Sequence, residues 1–246
     1  MLIYITDMTT KEEKGDESAF PMRINKYLAF KKRSTRREAD VLIEKGFIYI
    51  NGVQAQLGDK VLETDIVKIE GPQRTYHYYA YHKPQGVITH SPQNDELSIA
   101  ASINLPGVFP LGRLDKDSSG LILLTDDGRV TDALLNPKHE HEKEYVVTTL
   151  DALPKDFKKN MERGVDIGGY VTQKCKVEVQ GKHSFSIVLT EGKKHQIRRM
   201  CGAFGQSALG LKRVRIMGVE LGNLAEGNYR ELQKAELKTF LKEIGL

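Results

Sequence analysis

The 246-residue chain carries 37 Lys and Arg against 33 Asp and Glu, a formal net charge of +4, with 39% hydrophobic and 28% charged residues. That length and balance suit a soluble globular protein with a full core and room for a second small domain. Two cysteines, Cys175 and Cys201, exclude a disulfide framework and a cysteine metal set, and no apolar run or signal-peptide pattern suits a membrane or export, so a cytoplasmic protein without a membrane role is expected.

Residues 1–21 mix charge with small polar residues, show no apolar period and read as a flexible tail. From Met22 the pattern sharpens. Ile24, Tyr27 and Leu28 share one face of a short helix, while Arg23, Lys26, Lys31, Lys32 and Arg33 point away. Thr35 stands three residues before Glu38, the spacing of a capping box. The helix it opens carries Ala39, Leu42 and Ile43 on one stripe and stops at Gly46. A strand over 47–50 leads into Asn51-Gly52, a tight-turn pair, and a second strand is expected over 66–69. Residues 22–70 thus form a unit of two helices and a small sheet. Arg36 and Arg37, in the first turn of its second helix, extend a basic surface at a helix N-terminus, where anions are favoured.

Residues 71–76 read as a linker, and 77–246 as a second domain. A strand over 78–81 ends at Lys83-Pro84-Gln85-Gly86, and 91–107 is loop with a short helix. The stretch 109–125 then reads as a strand, a polar loop and a second strand. Leu121-Ile122-Leu123-Leu124 is too apolar to face water, so it lies inside a sheet. The loop before it holds Arg113, Asp115, Lys116 and Asp117 between Gly112 and Gly120. A charged loop feeding a buried strand is a rigid platform for polar groups, and a carboxylate presented there beside cations is placed as a nucleophile needs. Asp115 taken alone also fits an ordinary turn residue. Asp117 offers a second carboxylate, at a separation that a loop does not reveal.

Further on, Asp126 is a candidate cap for a helix with Val130, Ala133 and Leu134 on one stripe, and 143–148 is a strand. His139-Glu140-His141 lacks a third metal ligand at a recognisable spacing, and Tyr145 is by default a core aromatic. A surface helix over 151–164 precedes a hairpin over 174–189 with one apolar face. In the helix that follows, Ile197, Met200, Cys201 and Phe204 face the core. Lys194 and Arg198 then lie four residues apart, a spacing at which like charges repel unless an anion lies near. A strand over 211–219 carries Lys212, Arg213 and Arg215, and a last helix spans 234–244. The inventory is α+β with a mixed, largely antiparallel sheet.

The run Ser34-Thr35-Arg36-Arg37-Glu38-Ala39-Asp40, with Gly46 and Tyr49-Ile50-Asn51-Gly52, resembles an S4 RNA-binding domain. Gly112-Arg113-Leu114-Asp115, followed by Ser119-Gly120-Leu121 and Leu123-Leu124-Thr125, resembles the signature of pseudouridine synthases. Lys143-Glu144-Tyr145 and Lys194-His195-Gln196-Ile197-Arg198-Arg199-Met200 follow in matching order, so the chain resembles the RsuA/RluF branch of that family, with 174–176, 198–201 and 213–217 nearest to the RluF type. Two positions depart from the pattern: His82 stands where the family usually has Asn, and Asp126 where Asn is common.

The resemblance implies isomerisation of a specific uridine to pseudouridine in structured RNA, by base flipping, with no cofactor and no metal. It implies 23S rRNA as the favoured partner, with 16S rRNA or tRNA as other targets, and a monomer. Asp115 would be the nucleophile at the sugar or a base at C2′, with Arg198 as its ion partner. Tyr145 would stack on the flipped base and assist removal of the C5 proton. Arg113 would fill the place the base left, Lys83, Lys194, His195 and Arg199 would hold phosphates, and Arg36 and Arg37 would belong to the RNA clamp. The alternative is a non-catalytic S4-type RNA-binding or ribosome-assembly factor; Asp115, Tyr145 and Arg198 being intact argues against it.

Overall fold

The computed structural model describes residues 20–246 apart from residues 73 and 94, so most of the expected tail lies outside the described residues. The chain divides into two compact units, Met1–Thr75 and Tyr76–Leu246. Among the described residues no helix is long and apolar enough to cross a membrane.

In the first unit the elements run β1 (Met22–Arg23), α1 (Ile24–Phe30), α2 (Arg36–Glu44), β2 (Ile48–Ile50), β3 (Val53–Gln54), β4 (Lys60–Val61) and β5 (Val67–Ile69). Ile24, Tyr27 and Leu28 of α1 pack with Ala39 and Ile43 of α2 and with Ile48 and Val61 in one core. The capping box forms: the Thr35 hydroxyl accepts the Glu38 N–H at 3.1 Å, and the Glu38 carboxylate accepts the Thr35 N–H at 2.9 Å. Asn51 and Gly52, at φ 50° and 82°, make the turn between β2 and β3. The strands form two small sheets, β1–β4 and β3-β2-β5, where one was expected, because β1 runs straight into α1 after pairing Met22 with Val61. Arg36 and Arg37 are exposed on the first turn of α2.

The second unit contains β6 (Tyr78–Lys83), α3 (Ile99–Ser102), β7 (Phe109–Leu111), β8 (Ser119–Thr125), α4 (Val130–Leu135), β9 (Lys143–Thr149), α5 (Phe157–Glu162), β10 (Lys176–Gly181), β11 (Ser184–Leu189), α6 (Gln196–Gly202), β12 (Ala208–Ile216), β13 (Val219–Glu220), β14 (Tyr229–Glu231) and α7 (Lys234–Glu243). Its described strands form a nine-stranded sheet in the order β10-β11-β9-β12-β8-β6-β14, with β13 on β12 and β7 on β8. The β12–β8 pair is parallel and the other strand pairs described are antiparallel, giving the expected α+β architecture. Both faces of β8 are covered. Leu121 and Leu123 pack with α4 and α7, while Ile122 and Leu124 pack with Tyr81, Val87 and Ile99. That two-sided burial is why the strand reads as an unbroken apolar run.

Two local expectations are corrected. The region 151–164 folds into the short α5 alone, with Phe157 and Met161 buried against β9–β11 rather than lying on a surface helix. Asp126 does not cap α4; its carboxylate accepts the His77 N–H at 2.7 Å and ties β6 to the end of β8.

Candidate active site

The loop between β7 and β8 carries Asp115 and is pinned from several directions. The buried Thr89 hydroxyl donates to the Leu114 carbonyl at 2.9 Å and accepts the Leu114 N–H at 3.1 Å. The Gly86 N–H reaches the Lys116 carbonyl at 2.8 Å, and the Ser118 N–H closes a turn on the Asp115 carbonyl at 3.0 Å. Arg198 donates to the Asp117 carbonyl at 2.8 Å. With its backbone held this way, the loop presents the half-exposed Asp115 carboxylate, Oδ2 lying 3.3 Å from His195 Nδ1.

His195 is itself set by strained backbone. It takes φ 52° at the start of α6, a left-handed conformation that side-chain-bearing residues adopt rarely. The turn that forces it is organised by buried Glu191. The Glu191 carboxylate accepts the Tyr170 hydroxyl at 2.5 Å, the Gln173 N–H at 2.9 Å and the Gln196 side-chain amide at 2.8 Å. Gln196 in turn accepts the Lys193 N–H at 2.8 Å. A carboxylate satisfied by three donors is a stable buried hub.

Four strands place a row of residues at one level of the sheet: Tyr145 on β9 is opposite Arg213 on β12, Arg213 is opposite Gly120 on β8, and Gly120 is opposite Lys83 on β6. Arg213 is 3% exposed. Its Nε donates to the Leu121 carbonyl at 2.6 Å, its Nη1 to the Arg113 carbonyl at 3.4 Å, and its guanidinium carbon lies 6.0 Å from the centre of the Tyr145 ring. Arg213 therefore joins the Asp115 loop to Tyr145. Lys83 is fully buried, with Nζ donating to the carbonyls of Val87 at 2.6 Å and Pro84 at 2.8 Å. Burial pushes its pKa down to about 8, against the pull of Asp115 and Asp117. Lys143, two residues before Tyr145, is pushed down to about 8 by burial and, secondarily, by the Arg213 charge.

Of the residues expected from sequence, Asp115 and His195 meet directly, and Arg198 joins them through the loop backbone. The expected Arg198–Asp115 ion pair is not formed. The guanidinium instead bridges two carbonyls, Asp117 at 2.8 Å and Ala208 at 2.5 Å. These two bonds commit the guanidinium to backbone, and α6 begins at Gln196, so Lys194 lies before the helix rather than on a shared face with Arg198. Lys83 does not face a phosphate either, because its ammonium is enclosed and committed to two carbonyls. Arg199 is exposed but tied to the carbonyls of Ile167 and Gly168, while Lys194 and Arg113 are exposed. The His139 and His141 rings stack, with His141 Nε2 2.9 Å from the Ala133 carbonyl. Sequence reasoning passed over Arg213, Glu191 and Thr89. An arginine set between Leu211 and Ile216 in a strand was the available signal for the first; Thr89 left none.

Comparisons with known proteins identify the family. Residues 77–203 match the family model for RNA pseudouridylate synthase, and residues 22–67 match the S4 domain. The chain is 40% identical over 230 residues to the dual-specificity RNA pseudouridine synthase RluF of Escherichia coli K12, covering 91% of this chain and 79% of the relative. It is 33% identical over 232 residues to ribosomal small subunit pseudouridine synthase A of Pasteurella multocida, covering 90% of this chain and all of the relative. A crystal structure of a pseudouridylate synthase superposes with a TM-score of 0.65 at 30% identity, covering 88% of this chain and 98% of that one. With an S4 domain ahead of the matching catalytic fold, the chain belongs to the RNA pseudouridine synthases of the RsuA/RluF type.

Proposed function

We propose that this enzyme isomerises a uridine of 23S rRNA, with Asp115 carrying the chemistry and the S4 unit holding RNA through Arg36 and Arg37. The observation that carries the assignment of Asp115 is its setting: an accessible carboxylate on a loop pinned by Thr89, Gly86 and Arg198, with an imidazole 3.3 Å away. Preorganisation of that kind is what a group attacking a sugar carbon needs.

The reaction moves the base from N1 to C5 attachment. The target nucleotide leaves the stack. Asp115 adds to C1′ or removes the C2′ proton. On either route the C1′–N1 bond breaks and its electron pair goes to the base. The base turns, C5 bonds to C1′, and the sugar is restored as the carboxylate departs or C2′ regains its proton. The C5 proton is lost and N1 takes up a proton, so no oxidant, reductant or cofactor is consumed. Tyr145 offers its ring to the flipped base, Arg113, Lys194 and Arg199 offer cations to the RNA, and His195 offers its imidazole.

Large-subunit rRNA is favoured by the resemblance of 174–176, 198–201 and 213–217 to the RluF type, and the description of a 40% identical relative as dual-specificity is the reason to search more than one class of RNA. The test maps pseudouridines in cellular RNA with the protein present, deleted, and replaced by Asp115→Asn. Loss of one large-subunit site in both the deletion and the Asp115→Asn strain is expected. A lost site in 16S rRNA or tRNA alone overturns the 23S assignment, and full modification by Asp115→Asn overturns the role of Asp115.

A further inference from the structure

The row Tyr145–Arg213–Gly120–Lys83 holds more positive charge than its hydrogen bonds use. Arg213 is 97% removed from solvent by its 3% exposure, donates only to backbone carbonyls, and has Nη2 buried with no partner among the described residues. A guanidinium has five N–H donors and is ordinarily buried only when a carboxylate meets it. Here the residue opposite it on one side is Gly120, which has no side chain, and on the other Tyr145, whose ring lies against the guanidinium. Lys83 and Lys143 lie close enough for the Arg213 charge to act on both, so the neighbourhood is cationic. Asp115 and Asp117 are the acids that bear on Lys83, together with Glu226.

An uncompensated buried cation of this kind is costly in the resting fold and useful only where negative charge later develops. The isomerisation supplies that charge. On either route open to Asp115, the electron pair of the broken C1′–N1 bond resides on the departing base, spread over N1, O2 and O4. We propose that Arg213 is a positioning residue that orients Tyr145 and the Asp115 loop and whose charge stabilises the base as an anion between bond breaking and bond making. This rests on the assignment of Asp115 and Tyr145 to the reaction. The arrangement also accounts for the close approach of β8 and β12. A Cβ on Gly120 would run into the backbone O and N of Arg213, so this position keeps the strand carrying the guanidinium directly against the end of the Asp115 loop.

The test separates charge stabilisation from packing. Single-turnover conversion is measured on a transcript of the mapped site, carrying either uridine or 5-fluorouridine at the target. Loss of the N-glycoside is read by nucleoside analysis after digestion. Fluorine at C5 makes uracil a better leaving group, so its departure depends less on outside help. Arg213→Gln keeps a donor for the Leu121 carbonyl and removes the charge. It is expected to slow uridine about 100-fold and 5-fluorouridine about tenfold or less, the scale of losing one electrostatic donor at a reacting centre. Equal slowing of both nucleosides overturns the proposal and leaves Arg213 a purely structural residue. Arg213→Lys keeps the charge without the planar fork, so the ratio of the two rates stays within about threefold of wild type. A larger change in that ratio also overturns the proposal, which keeps it testable should Arg213→Gln fail to fold. Retained conversion by Asp115→Asn would instead overturn the site assignment itself.

Discussion

Two carboxylates separated by a single residue have different fates in the Asp115 loop. Asp115 turns its side chain toward His195, whereas Asp117 lends the fold its backbone carbonyl, which Arg198 holds at 2.8 Å. The distinction gives a paired prediction. Asp115→Asn removes the nucleophile or base while preserving shape, so release of C5 tritium from labelled RNA falls by at least about 1000-fold. RNA affinity stays within about threefold, or roughly 0.7 kcal/mol. Asp117→Asn leaves the carbonyl in place and turnover within about threefold, because an exposed substitution away from the chemistry costs little. Turnover lost equally in both variants would mean that the loop, not one carboxylate, is being tested. Arg198 belongs to the same account as a fork across two carbonyls, a role its guanidinium geometry suits better than an ammonium would.

At the level of elements, the site depends on β8 and β12 running side by side in parallel. Gly120 adopts φ +111° at the point where the two backbones meet, and an added methyl has no room there. Gly120→Ala therefore combines left-handed strain with a backbone clash and costs about 3 kcal/mol or more, read as a lower urea midpoint and lost activity together. Gly86→Ala is the control: it has φ +87° but open space, so only about 1 kcal/mol of strain is expected. Similar losses at the two positions would show that conformation, not the β8–β12 approach, sets the cost. Much of this architecture was legible in the sequence. The capping box at Thr35, the Asn51-Gly52 turn and the buried run 121–124 are local signals, and each formed as read. The side chain that meets Asp115 was not legible. It depended on the left-handed turn at His195, which is built by Glu191 reaching residues 170 and 173 across the fold. Lys83 misled for the same reason, since a lysine beside a Pro-Gln-Gly turn reads as exposed until the sheet that encloses it is known.

For the whole molecule, charge enters in two ways. The net charge of +4 is small for a partner as anionic as RNA, so binding rests on clustered cations rather than on the overall field. Arg36→Ala with Arg37→Ala should weaken RNA binding and flatten its salt dependence by up to about two units of slope. A slope unchanged in filter-binding across salt would place both side chains away from phosphates. Buried cations act on stability instead. Lys83 has an ordinary pKa of 10.5 and is held at about 8 by burial. Between those values the unfolded chain binds more protons than the folded one, so stability rises with pH through this window, and the full cost of burying the charge is felt below it. Tyr78 sets the upper limit of a clean measurement: burial and then the bond to Asp127 raise its pKa, so ionisation favours the unfolded chain once pH passes about 10. Lys83→Met removes the lysine contribution and leaves that of Tyr78. The unfolding free energy of wild type relative to Lys83→Met should therefore increase by about 2 kcal/mol from pH 8 to pH 10, measured by urea titration at each pH. A pH-independent difference would show that Lys83 stays charged in the fold throughout, and that the carboxylates of the Asp115 loop outweigh its burial.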